Sequence, residues 1–206
     1  DSNSDNIPDG FALQGSTTIN SLVGGVWNLS STGGFMGVKT STALLNADTA
    51  YYLYARIKTA NNAIRIQPEV NSFHSGSNTF ELLSGVYLGA STTFLVLDKR
   101  ADGSASITWE VDTMGAYNIT EFKNKGVKND TGTLFSVLTN SEIKAQMDLW
   151  VVNGFPDHVI AALYPNGVDS AIALKYNDAD AIFRPQQIDE LPLNLTLRSG
   201  EYWQNG

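Results

Sequence analysis

Tyr51–Val70 reads YYLYARIKTANNAIRIQPEV, and its alternation sets the fold class. Tyr51, Leu53, Ala55 and Ile57 alternate with Tyr52, Tyr54, Arg56 and Lys58. After a short break, Ile64, Ile66, Pro68 and Val70 alternate with Arg65, Gln67 and Glu69. Successive side chains of a β-strand point to opposite faces, so each run has an apolar face and a polar one. Thr59-Ala60-Asn61-Asn62-Ala63 lies between the runs, and Asn tolerates the positive φ that tight turns require. The stretch predicts an antiparallel hairpin with Tyr51, Leu53, Ala55 and Ile57 on a core. Tyr52, Tyr54 and Arg56 are then predicted to face solvent or a partner.

The strand pattern continues on both sides. Val23–Ser30 reads as a strand in which Gly24-Gly25 marks a bulge, and Phe35–Lys39 as a second, shorter strand. Thr79–Gly89 is a further strand. Thr92–Leu97, TTFLVL, is a continuous apolar run of the kind buried on both faces. Ile107, Trp109 and Val111 alternate with Thr108, Glu110 and Asp112, which places Trp109 in the core; Trp27 has the same phase in its own strand. Asn118–Thr131 is polar and Lys-rich and reads as a surface loop. In Asn140–Trp150 the residues Ile143, Met147 and Trp150 recur at helical spacing behind a capping Asn140 or Ser141, although Leu149–Val152 also has the propensity of a strand. Val159–Tyr164 and Ala171–Tyr176 read as paired strands across Pro165-Asn166-Gly167. Leu191, Leu193, Leu195 and Leu197 form a last strand, starting at Pro192 or lying at an edge. Asp1–Gly10 reads as a mobile or partner-docked arm. The expected fold is all-β. Residues 11–206 form a single jelly-roll-like antiparallel β-sandwich of about nine to eleven strands, with at most one short helix near 140–150.

Composition bounds the function. With 206 residues, 42% of them hydrophobic, the chain can bury a core without staples. It has no cysteine, which excludes disulfides, thiolate chemistry and cysteine-based zinc sites. A net charge of −8 argues against a nucleic-acid partner and against an anionic membrane surface. No apolar run is long enough for a membrane-spanning helix. The chain begins with Asp1 rather than Met, so it reads as processed or as part of a longer protein.

Candidate chemistry is sparse, and no cofactor is implied. Asp178 and Asp180 are a weak candidate Ca²⁺ pair; they lack the Gly and distal Glu of an EF-hand loop, and a solvated turn is the simpler reading. His158 follows Asp157, but adjacency does not make a catalytic triad and no nucleophile motif accompanies it. His74, in a Ser/Gly loop, reads as a surface residue. Glu69, Glu81, Glu110 and Asp112 are carboxylates on or near strands, and a glycosidase needs two at a set separation. Glu110 and Asp112, however, are simply the polar phase of their strand. The aromatic set Tyr52, Tyr54 and Trp203, with Arg56, points to contact. Such rings stack on sugars and also fill subunit interfaces, and the interface reading is favoured.

Four segments resemble a domain recurrent in tailed-phage virion proteins, especially tail fibres and related appendages. They are Asp48–Ile57 (DTAYYLYARI), Gly85–Gly89 (GVYLG), Ala101–Ser104 (ADGS) and Phe155–Leu163 (FPDHVIAAL). The chain departs from that pattern at Phe80–Val86 (FELLSGV), where the family has a Pro-rich lead-in, and it lacks the Arg before the Ile-Gly pair. The resemblance implies a non-catalytic β-sandwich that assembles as a homo-oligomer, with a trimer favoured, alongside other virion proteins. It would sit on the virion surface, or otherwise extracellularly, and serve structure or host attachment, with contact to surface polysaccharide. The alternatives are a carbohydrate-binding module and, third, a polysaccharide lyase or hydrolase.

Overall fold

The computed structural model describes residue 7 and residues 10–68, 72–100 and 106–163. Nine strands lie in this region: β1 (Phe11–Gln14), β2 (Thr17–Val23), β3 (Val26–Ser31), β4 (Met36–Thr40), β5 (Ala50–Thr59), β6 (Ile64–Gln67), β7 (Phe80–Leu88), β8 (Val96–Lys99) and β9 (Ile107–Asn118). They form two antiparallel sheets, one ordered β1-β4-β8-β6 and the other β2-β3-β9-β5-β7. From β4 to β9 every connection passes from one sheet to the other, the crossover habit of a jelly-roll sandwich. The expected all-β sandwich is therefore the observed architecture.

The main core lies between the sheets. Leu29, Leu53, Ile57 and Trp109 from the five-stranded sheet meet Val38, Ile64, Ile66 and Leu97 from the four-stranded one. Fully burying one such side chain is worth about 1.5–3 kcal/mol. The apolar phase read from Tyr51 to Ile57 is thus correct, as are the core positions of Trp27 and Trp109. Trp109 also donates its indole N–H to Ser31 Oγ at 3.1 Å, so its polar atom is satisfied in the core.

The hairpin expected at 51–70 does not form. β5 lies between β9 and β7, whereas β6 belongs to the other sheet and pairs with β8. The turn residues do their local work: Asn61 Oδ1 accepts the Ala63 N–H at 2.7 Å, a side-chain-closed turn. That turn carries the chain across the sandwich instead of back along the same sheet. Gly24-Gly25 is likewise a connection rather than a bulge. Both residues have positive φ (60° and 80°), and Val23 pairs with Val26, so they are the central residues of a two-residue hairpin loop between β2 and β3. TTFLVL is not buried on both faces; Leu95 and Leu97 point to the core, while Phe94 and Val96 are only half-buried.

At most one helix was expected, and the described residues contain three: α1 (Ile119–Asn124), α2 (Asn140–Asn153) and α3 (Asp157–Leu163), with a 3-10 turn at Phe135–Val137. Asn118 caps α1 by accepting the Glu121 N–H at 3.0 Å, which turns part of the expected loop into helix. The helix expected over 140–150 is α2, but its cap is Thr139, in a reciprocal capping box with Glu142, and not Asn140 or Ser141. The expected strand at 159–164 is α3 instead. Pro156 precedes it, and its carbonyl accepts the N–H groups of Val159 and Ile160. The expected strands at 171–176 and 191–197 lie outside the described residues.

The helices cover the outer face of the five-stranded sheet. Ile119, Phe122, Phe135, Ile143, Met147, Trp150, Phe155 and Val159 form a second core with Tyr52, Tyr54 and Tyr117. The outer face of the four-stranded sheet has no such roof among the described residues.

Candidate functional site

The residues expected to make contacts divide sharply. Tyr52 and Tyr54 are both 0% exposed. The Tyr52 ring lies 5.9 Å from that of Tyr54, and Tyr54 stacks at 5.5 Å on Tyr117, which leads on to Phe155 at 4.9 Å. The Tyr52 hydroxyl donates to Asp148 Oδ1 at 2.7 Å; Ser84 Oγ donates to the same oxygen at 2.5 Å, and Lys144 Nζ holds Oδ2 at 2.6 Å. Burial, together with the Asp148 charge, pushes the Tyr52 hydroxyl far above its ordinary pKa. The face read as a subunit or sugar contact is therefore an internal helix–sheet interface. Tyr is amphipathic, and here each ring is buried while the Tyr52 hydroxyl finds a partner. Among the described residues of that set, Arg56 alone is exposed. It is paired with Asp112 Oδ2 at 2.7 Å and lies over Phe80 at 5.1 Å. Trp203, Asp178 and Asp180 lie outside the described residues.

His74 is buried, not on the surface (1% exposed). Its Nδ1 accepts the Gly76 N–H at 2.9 Å, which leaves the proton on Nε2 facing the Ile57 and Thr79 carbonyls at 3.1 and 3.0 Å. Both ring nitrogens are thus spent on backbone. Beside it, Glu81 accepts the Ser75 N–H at 2.9 Å and the Ser75 and Ser77 hydroxyls. Burial raises the Glu81 pKa, but these hydrogen bonds outweigh it and bring the carboxyl down to about 2. His158 contacts the Lys128 carbonyl at 3.1 Å and meets the Trp150 ring edge-on. Glu110 is paired with Lys58 at 3.2 Å, as Asp112 is with Arg56. No group of three His, Asp or Glu residues suited to a metal occurs among the described residues.

The open face of the four-stranded sheet carries a different arrangement. Its register aligns Gln14, Gly37, Asp98 and Arg65 in one row across β1, β4, β8 and β6, with Phe73 added beyond Arg65 by an isolated bridge. The next row holds Ala12, Lys39, Val96 and Gln67. Gly37 is required here, because a Cβ at that position would lie 1.9 Å from the Leu97 carbonyl oxygen. The missing side chain leaves the row low at its centre, beside Asp98.

Asp98 is 2% exposed although it belongs to the outer phase of its strand. Arg65 Nε donates to its Oδ1 at 2.8 Å. Burial raises the Asp98 pKa, and Arg65 opposes that rise without overcoming it. Three Phe–cation pairs surround this centre. Arg65 lies over Phe35 at 5.6 Å, Lys39 over Phe94 at 4.5 Å and Arg100 over Phe73 at 5.5 Å. Phe35 is 52% exposed and has φ 57°, a left-handed conformation unfavourable for a bulky side chain by about 1–2 kcal/mol.

None of these residues stood out individually in the sequence. The available signal was the second phase of two strands: Phe35, Gly37 and Lys39 on one, and Phe94, Val96, Asp98 and Arg100 on the other. No family model matches the chain, and no curated protein matches it.

Proposed function

We propose that this is a non-catalytic adhesive β-sandwich domain that binds carbohydrate on the outer face of its four-stranded sheet. The observation that carries this reading is Phe35: a half-exposed ring kept in a strained backbone conformation, directly beside the partly exposed Arg65 that pairs with the buried Asp98. Strain of this kind persists where the surrounding structure fixes a side chain for use. Aromatic rings stack on the apolar faces of sugars, and an adjacent guanidinium, held by the buried Asp98, supplies directional hydrogen bonds to hydroxyl groups. The non-catalytic part of the proposal is supported by the engagement of both His74 nitrogens with backbone and by the separate ion pairs that occupy Glu110 and Asp112. Placement of the domain on a virion appendage belongs to the same proposal and draws its support from the resemblance at 48–57 and 85–89. Assembly into an oligomer would use surfaces other than Tyr52 and Tyr54.

A glycan array tests the reading, with Phe35→Ala as the matched variant. Binding by the parent chain and its loss in Phe35→Ala is the expected result. Absence of binding to every glycan, or equal binding by the variant, refutes it. Phe35 is half-exposed, so the variant should fold, and a thermal midpoint close to the parent's is the check.

A further inference from the structure

We infer that the carbohydrate recognised by this face is an anionic, uronate-bearing polysaccharide whose carboxylates meet Lys39 and Arg100; the inference rests on the glycan-binding reading above.

The whole chain carries −8. Elsewhere its cations are commonly matched: Arg56 with Asp112, Lys58 with Glu110, Lys125 with Glu121, and Lys144 with Asp148. The outer face of the four-stranded sheet reverses the balance. Among the described residues it holds three cations and one carboxylate, Asp98. That carboxylate is taken by Arg65, and neither Lys39 nor Arg100 has a carboxylate partner among the described residues. Each instead rests on a phenylalanine ring, which holds a cation in place without neutralising it. Positive charge gathered on one face of an acidic protein, and left unpaired, is complementary to an anion.

The spacing points to a polymer. Lys39 is level with Val96 in the register, and Arg100 lies four residues further along the chain from Val96, so at ~3.3 Å per residue the two cations stand about 13 Å apart along the strand direction instead of converging on one point. A single small anion would need convergence; a chain with a charge on successive sugars would not. Arg100 offers a planar fork that matches carboxylate geometry. A second copy of this chain suits the face poorly, because a two-fold contact places the same cations against each other. A nucleic acid suits it poorly too, since three cations on a chain of net −8 give little phosphate neutralisation.

The test is calorimetric titration of the full chain with polygalacturonate, alginate and hyaluronate. Each is compared with fully methyl-esterified polygalacturonate, which keeps the sugar rings and removes the charge. A neutral xylan and a single-stranded thymidine oligonucleotide complete the set. At low salt, at least one polyuronate should bind about tenfold or more tightly than the methyl ester, and the advantage should shrink as salt is added. Lys39→Ala and Arg100→Ala should each weaken that binding about fivefold. Lys123→Ala, on α1, should leave it unchanged.

Methyl ester or xylan bound as tightly as every polyuronate, with the Phe35→Ala loss intact, overturns the charge inference and leaves the glycan-binding reading standing. Unchanged polyuronate binding in both Lys39→Ala and Arg100→Ala also overturns it. Failure to bind any polysaccharide overturns both, as does preferential binding of the oligonucleotide.

Discussion

The two sheets of this sandwich carry aromatic residues on their outer faces and treat them in opposite ways. On the five-stranded sheet Tyr52, Tyr54 and Tyr117 lie beneath three helices, and the Tyr52 hydroxyl is anchored to Asp148. On the four-stranded sheet Phe35 and Phe73 remain exposed beside Arg65 and Arg100. Strand alternation separates the two faces in each case but does not say which will be covered. Cover comes from elsewhere in the chain, here from residues 119–163. An apolar roof turns an outer face into a second core, and an open face keeps its rings available.

The largest expected effect breaks the roof. Trp150 stacks on Phe135 and packs near Phe155, and its indole N–H donates to Asp130 at 3.0 Å. Trp150→Ala should cost about 3–5 kcal/mol in urea unfolding. β5 contributes to both cores, so the loss should appear in one transition. A separate early transition would mean that the helical layer unfolds independently of the sandwich. Glycan binding by the folded fraction should be unchanged, because the open face does not touch the helices.

A second variant probes how the covered face tolerates its polar atoms. Tyr52→Phe removes one donor from the shared Asp148 oxygen and should cost about 1.5–3 kcal/mol at neutral pH. The pH dependence has a definite sign. The Tyr52 pKa is raised in the folded state, whereas the unfolded side chain ionises near its ordinary value of about 10. Its contribution is therefore complete below pH 10 and falls above it, at about 1.4 kcal/mol per pH unit. Urea midpoints between pH 8 and 11.5 should decline less steeply for Tyr52→Phe than for the parent. Parallel declines would show that Tyr52 is not held neutral by this interface.

How much of this was legible in the sequence depends on range. The period-two pattern of β5, its inward set of Tyr51, Leu53, Ala55 and Ile57, and the helix over 140–150 were all readable, because each rests on neighbours a few residues apart, though the Thr139 cap of that helix was not. The partner of β6 was not. Asn61 and Asn62 favour a turn, and a turn serves equally well for a hairpin or for a crossing between sheets. Nor was the burial of Tyr52 and Tyr54, since tyrosine belongs equally to a wet surface and to a core that satisfies its hydroxyl. One clue existed: Ile143, Met147 and Trp150 formed an apolar helix face that needed something to pack against, and aromatic residues on an uncovered strand face could supply it. The open site was hidden for a different reason. Phe35, Asp98 and Arg65 come together only through strand pairing, and the backbone strain at Phe35 leaves no mark in composition or spacing.

Phe35→Gly sharpens the comparison from the open side. Glycine adopts φ 57° without strain, so the substitution relieves the backbone while removing a half-exposed ring. Stability should stay within about 1 kcal/mol of the parent, in contrast to the large loss at Trp150. Glycan affinity should nevertheless fall as far as in Phe35→Ala. A stability loss comparable to that of Trp150→Ala would place Phe35 among the core residues and remove the reason for reading its strain as functional.

The smallest expected effect concerns the seam between the two sheets. His74 follows the short segment paired with β6 on the four-stranded side, and its ring reaches the Ile57 carbonyl on the five-stranded side. Glu81, on β7, braces the same loop through Ser75 and Ser77. Its carboxyl is held down to about 2 in the folded state, against about 4.3 for an ordinary Glu. A lowered carboxyl contributes stability above its unfolded value and loses it as pH falls toward the folded one. Glu81→Gln should therefore lower the thermal midpoint slightly at pH 6, and the gap from the parent should close between about pH 4.5 and pH 2. A gap that persists unchanged to pH 2 would mean that shape, not charge, is what Glu81 supplies. If it closes as expected, the loop that ties the two faces together is fastened by a carboxylate with its proton removed, and acid loosens this seam without touching either core.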